Sequence, residues 1–177
     1  MAKVIKYIQS NQKLHHKQQI KDIFIKSSSL NLDTEDEKRK AFKKWTDYYL
    51  DNNPEWIYLT LNDQSDVTSY LMACPQSGNA EELFEDFLSY DLFEDQFGDF
   101  PAHLHMNTHP KYRGKGLGSL LISALETDLG AVNVLGFHII TSPQSENVNF
   151  YKKAGLDFQL QRPFKDFKLL FMGKKLA

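Results

Sequence analysis

The chain has 177 residues, 41% hydrophobic and 13% aromatic, which suits one domain with a real core and excludes a disordered chain. A formal net charge of −2 and a pI of about 6.3 argue against a nucleic-acid binder held by bulk positive charge. The single cysteine, Cys74, rules out an internal disulfide, Met1 to Asn11 has no signal-like apolar segment, and no run approaches 18 apolar residues; the expectation is a cytoplasmic protein with no membrane partner.

Val4 to Ile8 alternates and predicts a short first strand. His15 to Lys26 predicts a helix on Ile20, Ile23 and Phe24, with His15 and His16 solvated at its polar start. Asp33 or Thr34 is a candidate N-cap, and Glu37 can close a capping box on Thr34. That helix runs to about Leu50 with Phe42, Trp45, Tyr49 and Leu50 as its stripe, and Asn52-Asn53-Pro54 ends it. Trp56 to Leu61 and Val67 to Cys74 read as paired strands around an Asn62-Asp63-Gln64-Ser65 turn, with Cys74 a buried small hydrophobe.

Glu81 to Phe97 has helical spacing in Leu83, Phe84, Phe87 and Leu88 and carries Glu81, Glu82, Glu85, Asp86, Asp91, Glu94 and Asp95 without a Lys or Arg. It reads as a solvated helix face; its functional reading is attraction of a cationic substrate. Ala102 to Thr108 is a strand stopped by Pro110, and a helix follows from Leu117 to about Leu129 with Leu117, Leu120, Leu121, Ala124 and Leu125 as its apolar face. Val134 to Thr141 is a continuous apolar strand, with His138 a core histidine. Asn147 to Lys153 is a short helix ended by Gly155, and Leu156 to Leu160 and Phe167 to Met172 close the sheet. The alternation implies a single α/β domain over residues 1–177, a central mixed sheet flanked by helices.

Between the strand at 102–108 and the helix at 117 lies Tyr112-Arg113-Gly114-Lys115-Gly116-Leu117-Gly118-Ser119. Three glycines in five residues clear Cβ atoms from the path of a ligand, and the helix start aims free N–H groups and the positive end of its dipole at the turn. Arg113 and Lys115 add charge, so a phosphate or pyrophosphate is the natural guest. The spacing is neither Gly-x-Gly-x-x-Gly nor a P-loop.

Arg113, Gly116 and Gly118 match Arg/Gln-x-x-Gly-x-Gly/Ala, and the chain resembles the GCN5-related N-acetyltransferases from about residue 4 to residue 172. Asn147-Val148-Asn149-Phe150-Tyr151-Lys152-Lys153-Ala154-Gly155-Leu156 looks like the last helix of that family, with Leu156 in place of the usual Phe. Pro101-Ala102-His103-Leu104-His105 leading into Pro110-Lys111-Tyr112-Arg113 resembles the acetyltransferase-like domains attached to O-GlcNAc hydrolases. The resemblance implies acetyl-CoA as acetyl donor, its pyrophosphate on backbone N–H groups of Arg113, Gly114, Lys115, Gly116, Leu117, Gly118 and Ser119. Its pantetheine arm would lie along Met106, Asn107 and Thr108, with Asn147 or Asn149 as a further contact. A strand N–H near Met106 would stabilise the oxyanion, and Tyr151 would protonate the leaving thiolate as well as line the cofactor.

His103 and His105 are the candidate bases: alternation puts both on one strand face, with Asn107 following, and imidazole has the right pKa. Two histidines are too few for a metal site. His109 flanks the phosphates. The expected reaction moves an acetyl group to a primary amine on a small molecule or peptide. The alternatives are a non-catalytic CoA-binding module and an enzyme acting on a different phosphate ligand. A monomer and a homodimer both stay open.

Overall fold

A computed structural model describes residues 3–28, 30–80, 82–83, 87 and 90–176. The chain falls into two compact units, Met1–Ala73 with His105–Leu125, and Cys74–Leu104 with Glu126–Ala177. The elements run β1 (Lys3–Lys6), α1 (Lys13–Ser27), α2 (Glu35–Asn52), β2 (Ile57–Leu61), β3 (Val67–Cys74), β4 (Ala102–Thr108), α3 (Leu117–Ala131), β5 (Gly136–Thr141), α4 (Val148–Lys153), β6 (Phe158–Phe164) and β7 (Phe167–Lys175). Among the described residues the strand order is β1-β2-β3 in the first unit and β4-β5-β7-β6 in the second. The β4–β5 pair is parallel and β1–β2, β2–β3, β5–β7 and β6–β7 are antiparallel, so the strand pairing is mixed, as the sequence predicts.

In the first unit β2 and β3 are buried at every position, the pattern of strands covered on both faces. Ile20, Ile23 and Phe24 of α1 and Phe42 and Tyr49 of α2 are buried. Thr34 caps α2 through the expected box: its hydroxyl accepts from Glu37 N–H, and the Glu37 carboxylate accepts from Thr34 N–H at 2.8 Å. Asn62 shapes the hairpin turn by accepting from the Gln64 and Asp66 N–H groups at 3.0 and 2.8 Å.

Three expectations in this unit are corrected. The first strand ends at Lys6, and Tyr7–Gln9 turns into a 3-10 helix that buries Tyr7. His16 is not solvated but 3% exposed. Its Nδ1 lies 2.8 Å from Ser10 Oγ and its Nε2 3.2 Å from Ser65 O, so both ring nitrogens have partners. On α3, Leu117, Leu121, Ile122, Leu125 and Leu129 are buried while Leu120 is 45% exposed. At about 100° per residue the buried arc centres between Leu121 and Leu125; Ile122 falls inside it and Leu120 outside.

In the second unit the parallel ladder of β4 with β5 comprises Ala102↔Phe137 and His103↔His138. Leu170–Lys175 of β7 pair with all of β5, and β6 pairs with β7 on its other edge. Phe93, Phe97, Phe100 and Phe171 form a buried aromatic cluster. Gly173 exists for it: a Cβ there would sit 2.6 Å from the Phe100 ring. Gly155, at φ +88°, ends α4 as expected, and Leu156 N–H bonds back to Tyr151 O at 3.0 Å. Cys74 is buried, as expected. β6 is shifted from the expected Leu156–Leu160 to Phe158–Phe164, and β7 runs on past Met172 to Lys175.

Of the predicted helix over 81–97, Glu82 and Leu83 are helical as expected, and the correction falls on its second half. Asp91–Gln96 is a 3-10 helix broken at Phe93, which is fully buried. Glu81, Phe84, Glu85, Asp86 and Leu88 lie outside the described residues. The acidic side chains Asp91, Glu94, Asp95 and Asp99 are exposed, as a solvated face requires, and two of them form surface ion pairs. Arg162 of β6 grips Asp95 with two bonds of 2.6 and 2.7 Å, and that guanidinium holds the carboxyl down to about 2. Lys175 lies 3.0 Å from Asp99.

Candidate functional site

The glycine-rich turn follows a short 3-10 segment, Pro110–Tyr112, that His109 opens by accepting from Lys111 N–H at 3.2 Å. Gly114 and Gly116 take φ of +74° and +76°, a region costly for a residue with a Cβ. A Cβ on either would meet nothing within 4 Å. The glycines are therefore needed for the backbone turn, and the space before them is open. The first bond into α3 is Leu120 N–H to Gly116 O at 3.1 Å. The N–H groups of Leu117, Gly118 and Ser119 thus have no intrahelical acceptor, and they sit at the positive end of a 15-residue helix.

Arg113 and Lys115 are exposed beside them. The Lys115 ammonium lies 4.9 Å over the Tyr112 ring, and the Tyr112 hydroxyl accepts from Asn62 at 3.4 Å. The turn is thereby tied to the β2–β3 hairpin of its own unit. Free N–H groups, two cations and open space fit a pyrophosphate.

Met106, Asn107 and Thr108 are half-buried. The Asn107 carbonyl accepts from Ser69 Oγ at 2.9 Å and the Thr108 carbonyl from Ser27 Oγ at 3.1 Å. His105 is half-buried, with the rings of Phe24, Trp45 and Tyr70 at 6.1, 5.6 and 5.7 Å. Its Nε2 is 3.0 Å from the Tyr70 hydroxyl and 3.3 Å from the Asn107 amide nitrogen. Desolvation takes its pKa down to about 4, which corrects the expectation of an ordinary imidazole pKa: the ring is neutral at pH 7 and a weaker base than a solvated histidine.

The other predicted residues lie in the second unit. His103 is 1% exposed, with Nδ1 2.7 Å from Ser77 Oγ and the Tyr90 ring edge-on at 5.2 Å. Burial, and then the nearby His138, hold its pKa well below the usual value. His138 is the core histidine expected: it stacks on Phe97 and Phe171 at 5.0 and 4.6 Å, and its Nδ1 donates to Phe100 O at 2.7 Å. Burial pushes the Tyr151 phenol above its ordinary pKa, so it stays protonated. Asn147 accepts from Thr141 Oγ1 at 3.4 Å; Asn149 is exposed.

His103 and His105 thus share a strand face but not an environment. Sequence reasoning missed Tyr70, the Asn107 amide and Ser77. The available signal was generic: a tyrosine inside an apolar strand must place its hydroxyl on some partner. Among the described residues no group of three metal-ligating side chains occurs, and no helix is long and apolar enough to cross a membrane.

Residues 80–155 match the profile of the acetyltransferase (GNAT) domain. The fold matches SsHAT at a TM-score of 0.76 and 15% identity, covering 99% of this chain and 98% of that one. This is a GNAT acetyltransferase fold. It is also similar to the Drosophila melanogaster polyamine N-acetyltransferase that forms N-acetylagmatine (TM-score 0.62, 12% identity, 99% and 100% covered). A GNAT superfamily phosphinothricin acetyltransferase from Sinorhizobium meliloti, solved with acetyl-CoA, matches at 0.57 and 16% identity, covering 99% and 89%. The GNAT match takes in β4, the glycine turn, α3, β5 and α4, the segments that hold every sequence-predicted site residue.

Proposed function

We propose that this chain is an acetyl-CoA-dependent N-acetyltransferase that moves the acetyl group to a primary amine on a small molecule or peptide. The observation that carries the proposal is the turn at Gly114–Ser119, with two positive-φ glycines and unpaired N–H groups at a helix start. Acetyl-CoA supplies the activated thioester. The turn binds the pyrophosphate, with Arg113 and Lys115 as counter-charges, and the Met106–Thr108 edge takes the pantetheine amides.

The acceptor amine has to be neutral to attack. His105 is deprotonated at pH 7 and is the candidate base. Tyr151 keeps its proton at pH 7 and is the candidate donor to the thiolate. The amine acceptor of the Drosophila enzyme and the acetyl-CoA in the Sinorhizobium structure support the same reading.

A second reading is a CoA-binding module without transfer. It is favoured by His103, which is walled into the core with its Nδ1 engaged by Ser77 and so offers no route to a substrate proton. Calorimetric titration with acetyl-CoA, ATP and NAD tests the first step, with acetyl-CoA expected to bind tightest. Tighter ATP or NAD binding overturns both readings. Acetyl-CoA binding with no transfer to any amine in a panel of polyamines, amino sugars and lysine peptides leaves the module.

A further inference from the structure

We propose that Tyr70 is a positioning residue for His105: its buried hydroxyl donates to Nε2 and fixes the neutral ring with its proton on Nδ1, while the Asn107 amide holds the phenol in place. The importance of this rests on His105 being the base of the proposed transfer; the geometry stands without it. Tyr70 lies on β3, outside residues 80–155, so the GNAT match assigns it nothing.

Three polar atoms meet here. Tyr70 Oη lies 3.0 Å from His105 Nε2, Asn107 Nδ2 lies 3.0 Å from Tyr70 Oη, and Asn107 Nδ2 lies 3.3 Å from His105 Nε2. An amide NH2 can only donate. It therefore takes the phenol oxygen as its acceptor, and the phenol proton is left to go to Nε2. Tyr70 is 0% exposed, so water does not supply another acceptor, and a buried hydroxyl without one is costly. Nε2 then has two donors facing it and must carry its lone pair. A neutral imidazole in that position has its hydrogen on Nδ1. The surrounding Phe24, Trp45 and Tyr70 rings offer no charge to stabilise an imidazolium.

The consequence concerns the base. The lone pair that His105 can offer to a proton is the one the Tyr70 hydroxyl already uses. His105 takes a proton only as that hydroxyl turns away, so Tyr70 and Asn107 set its basicity.

The test is long-range nitrogen–proton NMR on the full chain labelled with 15N-histidine, with His105 assigned by the signals lost in His105→Gln. Wild type at pH 7 is expected to show a protonated Nδ1 and a bare Nε2. In Tyr70→Phe the Nδ1–H form loses population and the titration midpoint of His105 rises, because the donor that favoured the neutral ring is gone. Asn107→Asp places acceptors beside Nε2; the proton moves to Nε2 and the midpoint rises further. A wild-type ring protonated on Nε2 overturns the proposal, as does a folded Tyr70→Phe with unchanged tautomer and midpoint. If Tyr70→Phe does not fold, the wild-type spectrum and Asn107→Asp decide. None of these readings needs acetyl-CoA, so failure to bind acetyl-CoA would refute the acetyltransferase reading and leave this one standing.

Discussion

Gly116→Glu separates the backbone role of the glycine turn from its electrostatic role. Gly116 sits at φ +76° with open space where a Cβ would go. Any non-glycine residue there costs about 1–2 kcal/mol in conformational strain, which for a chain of this length lowers Tm by about 2–8 °C. Gly116→Ala carries that cost alone. Glutamate adds a negative charge at a distance of about 6 Å from a phosphate in the turn, worth about 0.7 kcal/mol at the dielectric constant of water and about 2.8 kcal/mol at an effective value near 20. Gly116 is exposed, so about 1–2 kcal/mol per phosphate charge is reasonable, or about 2–4 kcal/mol for two charges. That weakens acetyl-CoA binding by about 30- to 700-fold relative to Gly116→Ala. Calorimetry at low and high salt reads both the loss and its screening, since the penalty shrinks as the Debye length falls. Equal affinity in the glutamate and alanine variants would refute the placement of the pyrophosphate in this turn.

Tyr151→Phe is expected to lower kcat by about 10²- to 10⁴-fold, the range for a lost acid–base group, with acetyl-CoA affinity nearly unchanged; unchanged turnover removes Tyr151 from the chemistry. The buried His138 titrates near 6.5 when unfolded and about 4 when folded. The unfolded chain therefore takes the proton first, and stability is complete above pH 6.5 and falls toward pH 4. At pH 5 the loss is about 2 kcal/mol from this group, read by urea unfolding at pH 7 and pH 5; equal stabilities would contradict it. Gly173→Ala forces a methyl to 2.6 Å from the Phe100 ring and is expected to cost about 1–3 kcal/mol through overpacking, seen as a lower urea midpoint. Thr34→Ala removes the α2 cap and should lose about 1 kcal/mol, a lowering of Tm by about 2–4 °C.

What was legible in the sequence is what short-range chemistry dictates. The Thr34–Glu37 box, the glycine turn, the Gly155 cap and the bounds of β3 and β4 depend on residues a few positions apart. What was not legible depends on distant partners. His16 reads as a polar residue in a polar helix start until Ser65, 49 residues on, provides the acceptor that lets it be buried. Spacing could not say that Ile122 rather than Leu120 faces inward, because that depends on which neighbours cover the helix. The 81–97 stretch has helical apolar spacing, yet at Phe93 the pull of Phe100 and Phe171 and the Arg162–Asp95 pair outweighs it. Within the candidate site the turn and its cations were readable, whereas Tyr70 was one more aromatic in an apolar strand.

His103 and His105 are two residues apart on one strand and look interchangeable on paper. Their surroundings make them opposites for a population of variants. At 103 the ring fills a sealed, neutral pocket between Tyr90 and Ser77, so a library sorted for cellular abundance should reject charged replacements there. At 105 the half-buried ring leaves more room for substitution, and the same library sorted for acetylated product should purge variants that abundance sorting keeps. Comparing the two sorts would show, from growth and sequencing alone, whether either histidine is kept for more than the architecture.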